Sequence, residues 1–466
     1  MDGAGEPHGD RSRPGGGVEV KRLVLILCIV LSASGATWPK RIEKKLDNGL
    51  TVVLVPMANV PKITADIIFL TRNGATAQLA ARVANEGTAT RTSKELKDEL
   101  RSIGGQLAIR TDRDATTIAG SALSENAPKL FELMSDVARN ASFPKEEVEL
   151  AKQNLAGEIE EQRSNPQFLA DERLQKALFG SHPYGFVVPD AKSIKAATRE
   201  QLRAYAAANY VPNNATLIIV GDFEPDTALS EVRKAFGSWK KVPVTAAALP
   251  ALPKRDKRQI HFVDRPGSVQ SVIVLGTTAP PRKSADYLPL RTADTIAGGG
   301  FISRLNHNLR EAKGYTYGAF SGATLWRSAG EMTAGAAVRN EVTGPALLEL
   351  LYELDRMRVS PVTKEELDAA KTYSTGNLSL EMETQRGAAN RIATIYTYQL
   401  APDFLETFND KLAVLTAEDI QRAAAKYFDT YRSAIVIVGD WAAVKEQVTP
   451  FGDVTLYDES GNPKSK

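Results

Sequence analysis

The chain repeats itself, and that repetition constrains its fold more than any other feature. "QLRAYAAANYVPNNATLIIVGD", ending at Asp222, and "DIQRAAAKYFDTYRSAIVIVGD", ending at Asp440, lie 218 positions apart. Each reads as an amphipathic helix, a short polar turn and an apolar strand closed by Val-Gly-Asp. Upstream, "KEEVELAK" at 145–152 and "KEELDAAK" at 364–371 are alike at an offset of 219. Two separate markers at nearly the same offset define a duplicated unit of about 220 residues, which must build one supersecondary plan twice.

Within each unit, strands and helices come in groups, not in strict alternation. In "LDNGLTVVLVP" (46–56), Asn48-Gly49 makes a turn into a strand, and "ITADIIFL" (63–70) is strand-like. Thr92 and Glu95 form a capping box for a helix that stops at Gly104-Gly105, and "QLAIRTDRDATTIAGSAL" reads as a hairpin. Leu130, Met134 and Val137, then Val148, Ala151, Leu155 and Ile159, each fall on one helix face. The pattern predicts an α+β class with two tandem domains, each a largely antiparallel sheet with helices packed on one side. The boundaries expected are a first domain at 40–239, a Pro-, Ala- and base-rich linker at 240–258, a second domain at 259–450 and a tail at 451–466.

Residues 1–36 read as a signal peptide. Lys21 and Arg22 precede an apolar run from Leu23 to Leu31, and Ser34-Gly35-Ala36 is an A-x-A-like cleavage site. The only cysteine, Cys28, lies in that segment, so a processed chain has no thiol for disulfides or metal ligation. That run is too short to span a bilayer and no other stretch is apolar for long enough, so the expected location is periplasmic, with no membrane association after cleavage. Lys plus Arg (58) nearly balances Asp plus Glu (56), leaving no global field to attract nucleic acid.

The densest polar chemistry is "LREAKGYTYG" at 309–318. A helix from near Ser303 closes at Arg310, Gly314 supplies a left-handed stop, and Tyr315-Thr316-Tyr317 reads as the start of a strand. A guanidinium and a phenol are both donors, suited to a peptide carbonyl oxygen and to the oxyanion it becomes under attack. Tyr315 and Tyr317 share a strand face, so either could partner Arg310, and a plain packing turn would use the same residues. His182, His261 and His307 lack the i, i+4 spacing of a helical metal pair and read as packing or surface residues. Gly298–Gly300 precedes no Gly-Lys-Ser/Thr, so it reads as a close backbone approach instead of a phosphate loop.

"DNGLTVVLVP", "EGTATRTSKELKDELRSIGGQL", "HPYG", "YVPNNATLIIVGD" and above all "GGGFISRLNHNLREAKGYTYG" give the chain its likeness to a known family. It resembles the M16 (insulinase, or pitrilysin-like) zinc peptidases, in the M16B subfamily that includes the mitochondrial processing peptidase. The resemblance implies zinc held by an inverted H-x-x-E-H motif and a later glutamate in the first half. It also implies an Arg and a Tyr seven residues apart in the second half that hold substrate. The latter fall on Arg310 and Tyr317, with Tyr315 as the rival. Counting back from Gly87-Thr88, the motif positions fall on Gln78, Ala81 and Arg82, and the later glutamate on Glu158. Gln is a poor zinc ligand, Ala is none and Arg brings a permanent positive charge, so no metal is expected in this chain. Heterodimeric members of the family place zinc on one subunit and the Arg/Tyr pair on the other. The expectation is therefore a non-zinc subunit, inactive alone, acting on peptides with an H-x-x-E-H partner that carries the zinc. The alternative is a peptide-binding or scaffold protein of the same fold, as the core subunits of the mitochondrial cytochrome bc1 complex are.

Overall fold

The computed structural model describes residues 38–245 and 248–464. The expected signal peptide lies outside them. Six strands form the first sheet: β1 (Ile42–Lys45), β2 (Thr51–Pro56), β3 (Lys62–Leu70), β4 (Gln106–Thr111), β5 (Ala115–Leu123) and β6 (Ala215–Gly221), in the order β1-β2-β6-β3-β5-β4. The second contains β7 (Gln259–Asp264), β8 (Gln270–Ala279), β9 (Ala319–Leu325), β10 (Gly330–Arg339), β11 (Ala434–Gly439), β12 (Val454–Tyr457) and β13 (Pro463–Lys464), in the order β13-β12-β7-β11-β8-β10-β9. Five strands correspond one for one, β2-β6-β3-β5-β4 against β7-β11-β8-β10-β9. In each set the first pair is parallel and the rest antiparallel. The duplication is thus a duplication of topology.

Local signals act where the sequence places them. Gly49 turns at φ +90°, and the Asn48 amide donates to the carbonyls of Phe236 and Trp239 (2.8 and 3.1 Å), tying the turn to its own domain. Thr92 and Glu95 close a capping box on the Ser93–Ser102 helix, which ends before Gly104 at φ +58°. Residues 240–258 carry no helix or strand among those described. The segment expected as a tail differs: Val454, Leu456 and Tyr457 are buried, and β12 pairs in parallel with β7. Alternating apolar residues there cover the outer edge of the second sheet, as β1 does in the first.

Each sheet carries its own domain's helices on one face, and its opposite face is covered by the other domain. Val53, Val55, Ile68, Ile218 and Val220 pack against Ala388, Ala389, Ile392 and Ile395 of the Gln385–Tyr398 helix. Reciprocally, Val263, Val272, Val274, Val436 and Val438 pack against Leu169, Ala170, Leu174 and Leu178 of the Pro166–Phe179 helix. These two helices start 219 residues apart, so they are repeat equivalents exchanged between domains. The central strands are consequently buried on both faces, which is why β6 and β11 read as continuous apolar runs.

Polar contacts lock the exchange. Arg386 Nη1 donates to both carboxylate oxygens of Asp66 (2.6 and 2.8 Å), which is 1% exposed in the middle of β3. The Tyr184 hydroxyl donates to Asp114 (2.6 Å), and the Arg327 backbone N–H donates to the other oxygen of that carboxylate (2.9 Å). Burial outweighs Arg386 and raises the Asp66 pKa above its ordinary value. In the interval between the unfolded and the raised folded value, the native state holds more protons, so the Asp66 contribution to stability falls as pH rises. Arg386→Leu leaves that carboxylate unpaired. It is predicted to cost about 2 kcal/mol or more at neutral pH, below the roughly 3–5 of a fully buried pair because Arg386 is partly exposed. The loss should shrink in mildly acidic buffer, where Asp66 can protonate, and urea unfolding at two pH values measures it. An equal loss at both would show that the carboxylate charge is not what Arg386 offsets.

Candidate active site

The Ala75–Val83 helix buries Ala77, Leu79, Ala80, Ala81 and Val83 and packs against the long Lys145–Arg163 helix. That packing brings the degenerate motif positions to Glu158. Arg82 meets the Glu158 carboxylate as a two-pronged fork, Nη1 to Oε1 at 3.0 Å and Nη2 to Oε2 at 2.6 Å. Ala81 is buried, and the Gln78 amide reaches the Val187 carbonyl at 3.4 Å. Glu158, the position of the family's later glutamate, is an exposed carboxylate already neutralised by a guanidinium. One paired carboxylate, an amide, a methyl and a guanidinium do not make a zinc donor set, because the guanidinium has no lone pair to give and excludes a second cation. Among the described residues, no group of three or more His, Cys, Asp or Glu side chains is placed to hold a metal ion.

The repeat equivalent of that helix in the second domain is built differently. Thr295–Gly299 and Asn306–Ala312 are wide helical turns, separated by a bend at Gly300–Ser303. A Cβ on Gly298 would lie 2.5 Å from the Ser321 nitrogen, so glycine there admits the backbone of β9. Arg304 is fixed by a two-pronged bond to Glu366 (2.7 and 2.7 Å), itself the capping residue of the Lys364–Met382 helix. Asn306 Oδ1 accepts from the Ala319 N–H at 2.9 Å, and this sets where β9 begins. The strand expected from Tyr315 therefore starts at Ala319.

Residues 313–318 form a loop that separates the two tyrosines. Gly314 takes the left-handed conformation, φ +63°. Tyr315 packs against the second domain's core. The Thr316 hydroxyl donates to the Ala337 carbonyl (2.8 Å) and accepts from the Gly318 N–H (3.2 Å), holding the loop against β10. Tyr317, between them, is 96% exposed. Arg310 lies over the Phe301 ring, 4.7 Å from its centroid, with Nε 3.4 Å from Glu311. No hydrogen bond joins Arg310 to Tyr317. Both are presented from one short segment, Tyr317 exposed and Arg310 partly exposed, and a guanidinium and a phenol so placed can donate to a carbonyl oxygen brought from outside.

Two of the three histidines have structural surroundings. His182 is buried and caps the turn before Tyr184, its Nδ1 accepting from the Tyr184 N–H (3.2 Å), and burial with Arg72 and Arg113 nearby lowers its pKa. His261 contacts the Tyr457 hydroxyl (3.2 Å), and burial, then Arg173 and Arg255, push its pKa down to about 4. His307 is exposed on the Arg310 helix.

The duplicated α+β scaffold, with one mixed sheet in each half, has counterparts among known proteins. Residues 71–188 match the insulinase family, peptidase family M16, and residues 196–373 match the peptidase M16 inactive domain. The chain belongs to the M16 peptidase family. It is 26% identical over 408 residues to a protein of Rickettsia felis named an uncharacterized zinc protease, covering 84% of this chain and 96% of that one. A Mycobacterium bovis protein with the same designation is 24% identical over 360 residues, covering 76% and 81%. Among solved structures, the peptidase M16 inactive domain from Pseudomonas fluorescens superposes with a TM-score of 0.81 at 25% identity, covering 86% of this chain and 98% of that one. A protease from Helicobacter pylori gives 0.80 at 22% identity, covering 86% and 99%, a likeness of fold.

Proposed function

We propose that this chain is the non-zinc subunit of a heterodimeric M16B peptidase. It supplies Arg310 and Tyr317 to a peptide carbonyl, while a partner subunit with an intact H-x-x-E-H motif supplies the zinc. The observation that supports this reading is the contrast between the two halves: Arg82 is paired with Glu158 at the positions that align with the zinc motif, whereas Tyr317 is exposed and Arg310 is partly exposed, over Phe301 and beside Glu311. In this chain, Tyr317 and Arg310 orient the substrate carbonyl and donate to the charge that develops on it. Zinc, bound by the partner, supplies the activated water. The relatives' designation as zinc proteases agrees with a peptide substrate class.

The test is reconstitution. After dialysis the purified chain should hold no stoichiometric zinc and cleave no casein. Mixed with an H-x-x-E-H relative from its own genome, it should co-elute in size-exclusion chromatography and gain chelator-sensitive activity that neither chain has alone. About one zinc per chain in the isolated protein, measured by plasma mass spectrometry, would overturn the reading.

A further inference from the structure

We propose that Thr316 is a positioning residue: its hydroxyl keeps Tyr317 out of the sheet and open to substrate. The register of β9 on β10 runs from Leu325↔Gly330 to Ala319↔Ala336, so the next pair in line is Gly318↔Ala337. β10 extends far enough for it, since Ala337 is still a strand residue and pairs with Val272 of β8 on its other side. The Thr316 hydroxyl stands between the two halves of that pair instead. It accepts from the Gly318 N–H (3.2 Å) and donates to the Ala337 carbonyl (2.8 Å), with the Gly318 carbonyl also within reach at 2.9 Å. A side chain has thus taken the place of a direct backbone bond in the ladder.

The interruption decides which way Tyr317 faces. Successive strand residues point to opposite sides of a sheet, and in β9 it is Ala319, Ala323 and Leu325 that lie in the second domain's core, while Phe320 and Thr324 face out. Tyr317 has the parity of Ala319. A ladder carried two residues further would turn its ring inward, on the side where Tyr315 packs against that core. It is instead 96% exposed. Asn306 fixes the far end of the detour, accepting from the Ala319 N–H (2.9 Å) four residues before Arg310 in the same helical segment. The segment that bears Arg310 and the loop that bears Tyr317 are therefore pinned at one strand end. The bearing of this placement on catalysis rests on the function proposed above, but the placement itself does not.

The hydroxyl is what the detour needs, because one oxygen must both accept and donate. Valine has the shape of threonine without that oxygen and favours strand, so it should let the ladder close. The first measurement uses the isolated chain and requires no activity. Tetranitromethane nitrates accessible tyrosines, and peptide mass spectrometry can read Tyr317 against Tyr431, which is 64% exposed. Thr316→Val and Thr316→Ala should each protect Tyr317 severalfold relative to Tyr431, and Thr316→Ser should restore the wild-type rate.

The second measurement uses the chain assembled with the H-x-x-E-H relative. Thr316→Val should lower kcat at least about tenfold, equivalent to about 1.4 kcal/mol, with KM little changed, and Thr316→Ser should recover it. A residue that acts through Tyr317 has nothing left to position once the phenol is gone. Thr316→Val/Tyr317→Phe should therefore be no slower than Tyr317→Phe alone. Wild-type nitration of Tyr317 in both hydroxyl-free variants overturns the proposal. So does a full additional loss in the double variant, which would make Thr316 a general support of the fold. If no relative restores cleavage but Tyr317 is still protected, the catalytic-subunit reading fails and Thr316 stands as the residue that sets Tyr317 outside the sheet.

Discussion

Arg310→Ala and Tyr317→Phe, each assembled with an intact zinc-bearing partner, are expected to lower turnover by roughly a hundred- to a thousandfold. This is the cost of about 2.7–4 kcal/mol for losing one oxyanion donor. The donors strengthen as charge develops on the oxygen, so kcat should fall more than KM rises, and zinc content and co-elution should not change. The loop geometry makes Tyr315 a separate case. Its ring packs on the second core while Tyr317 is exposed, so Tyr315→Phe should leave kcat nearly intact and Tyr315→Ala should lower stability. Steady-state kinetics on the four assembled variants decide the matter. If Tyr315→Phe were the damaging change and Tyr317→Phe the silent one, the seven-residue pairing would be wrong for this chain.

The second large effect concerns the exchanged helices. Ile392 is 1% exposed and belongs by sequence to the second domain, yet it fills the back of the first sheet. Leu174, also 1% exposed, does the reverse. Ile392→Ala and Leu174→Ala should each destabilise by about 2–5 kcal/mol through lost burial and a residual cavity. The location of the damage is the sharper test. Hydrogen exchange should accelerate in β2 and β6 for Ile392→Ala, and in β8 and β11 for Leu174→Ala. Faster exchange confined to the mutated residue's own domain would mean that each half is held by its own helices alone.

Much of this fold was legible because duplication writes the same local signals twice. The Val-Gly-Asp strands, the capping box at Thr92 and the hairpin at 106–123 depend on residues close in sequence, and each forms as expected. The helix exchange was not legible. Leu174 and Ile392 look like ordinary core positions, and only tertiary structure decides which sheet they cover. β12 escaped because four residues at a chain end carry too little periodicity. The late start of β9 depends on an Asn306 side chain thirteen residues away. At the degenerate motif, the absence of ligands could be read directly, but the Arg82–Glu158 pairing could not, although opposite charges at two linked positions were a usable signal.

The helix exchange also fixes when the protein can be finished. β2 and β6 are complete once residue 221 has been made, but Val53, Val55, Ile218 and Val220 stay uncovered until Ile392 and Ile395 exist. At a synthesis rate of about 5–20 residues per second, that interval lasts on the order of ten to thirty seconds. Throughout it, a nascent chain carries a half-built sheet with an apolar back. Such a chain cannot settle domain by domain as it emerges, and until the Gln385–Tyr398 helix arrives it is a natural client for whatever in the cell shields unfolded polypeptide.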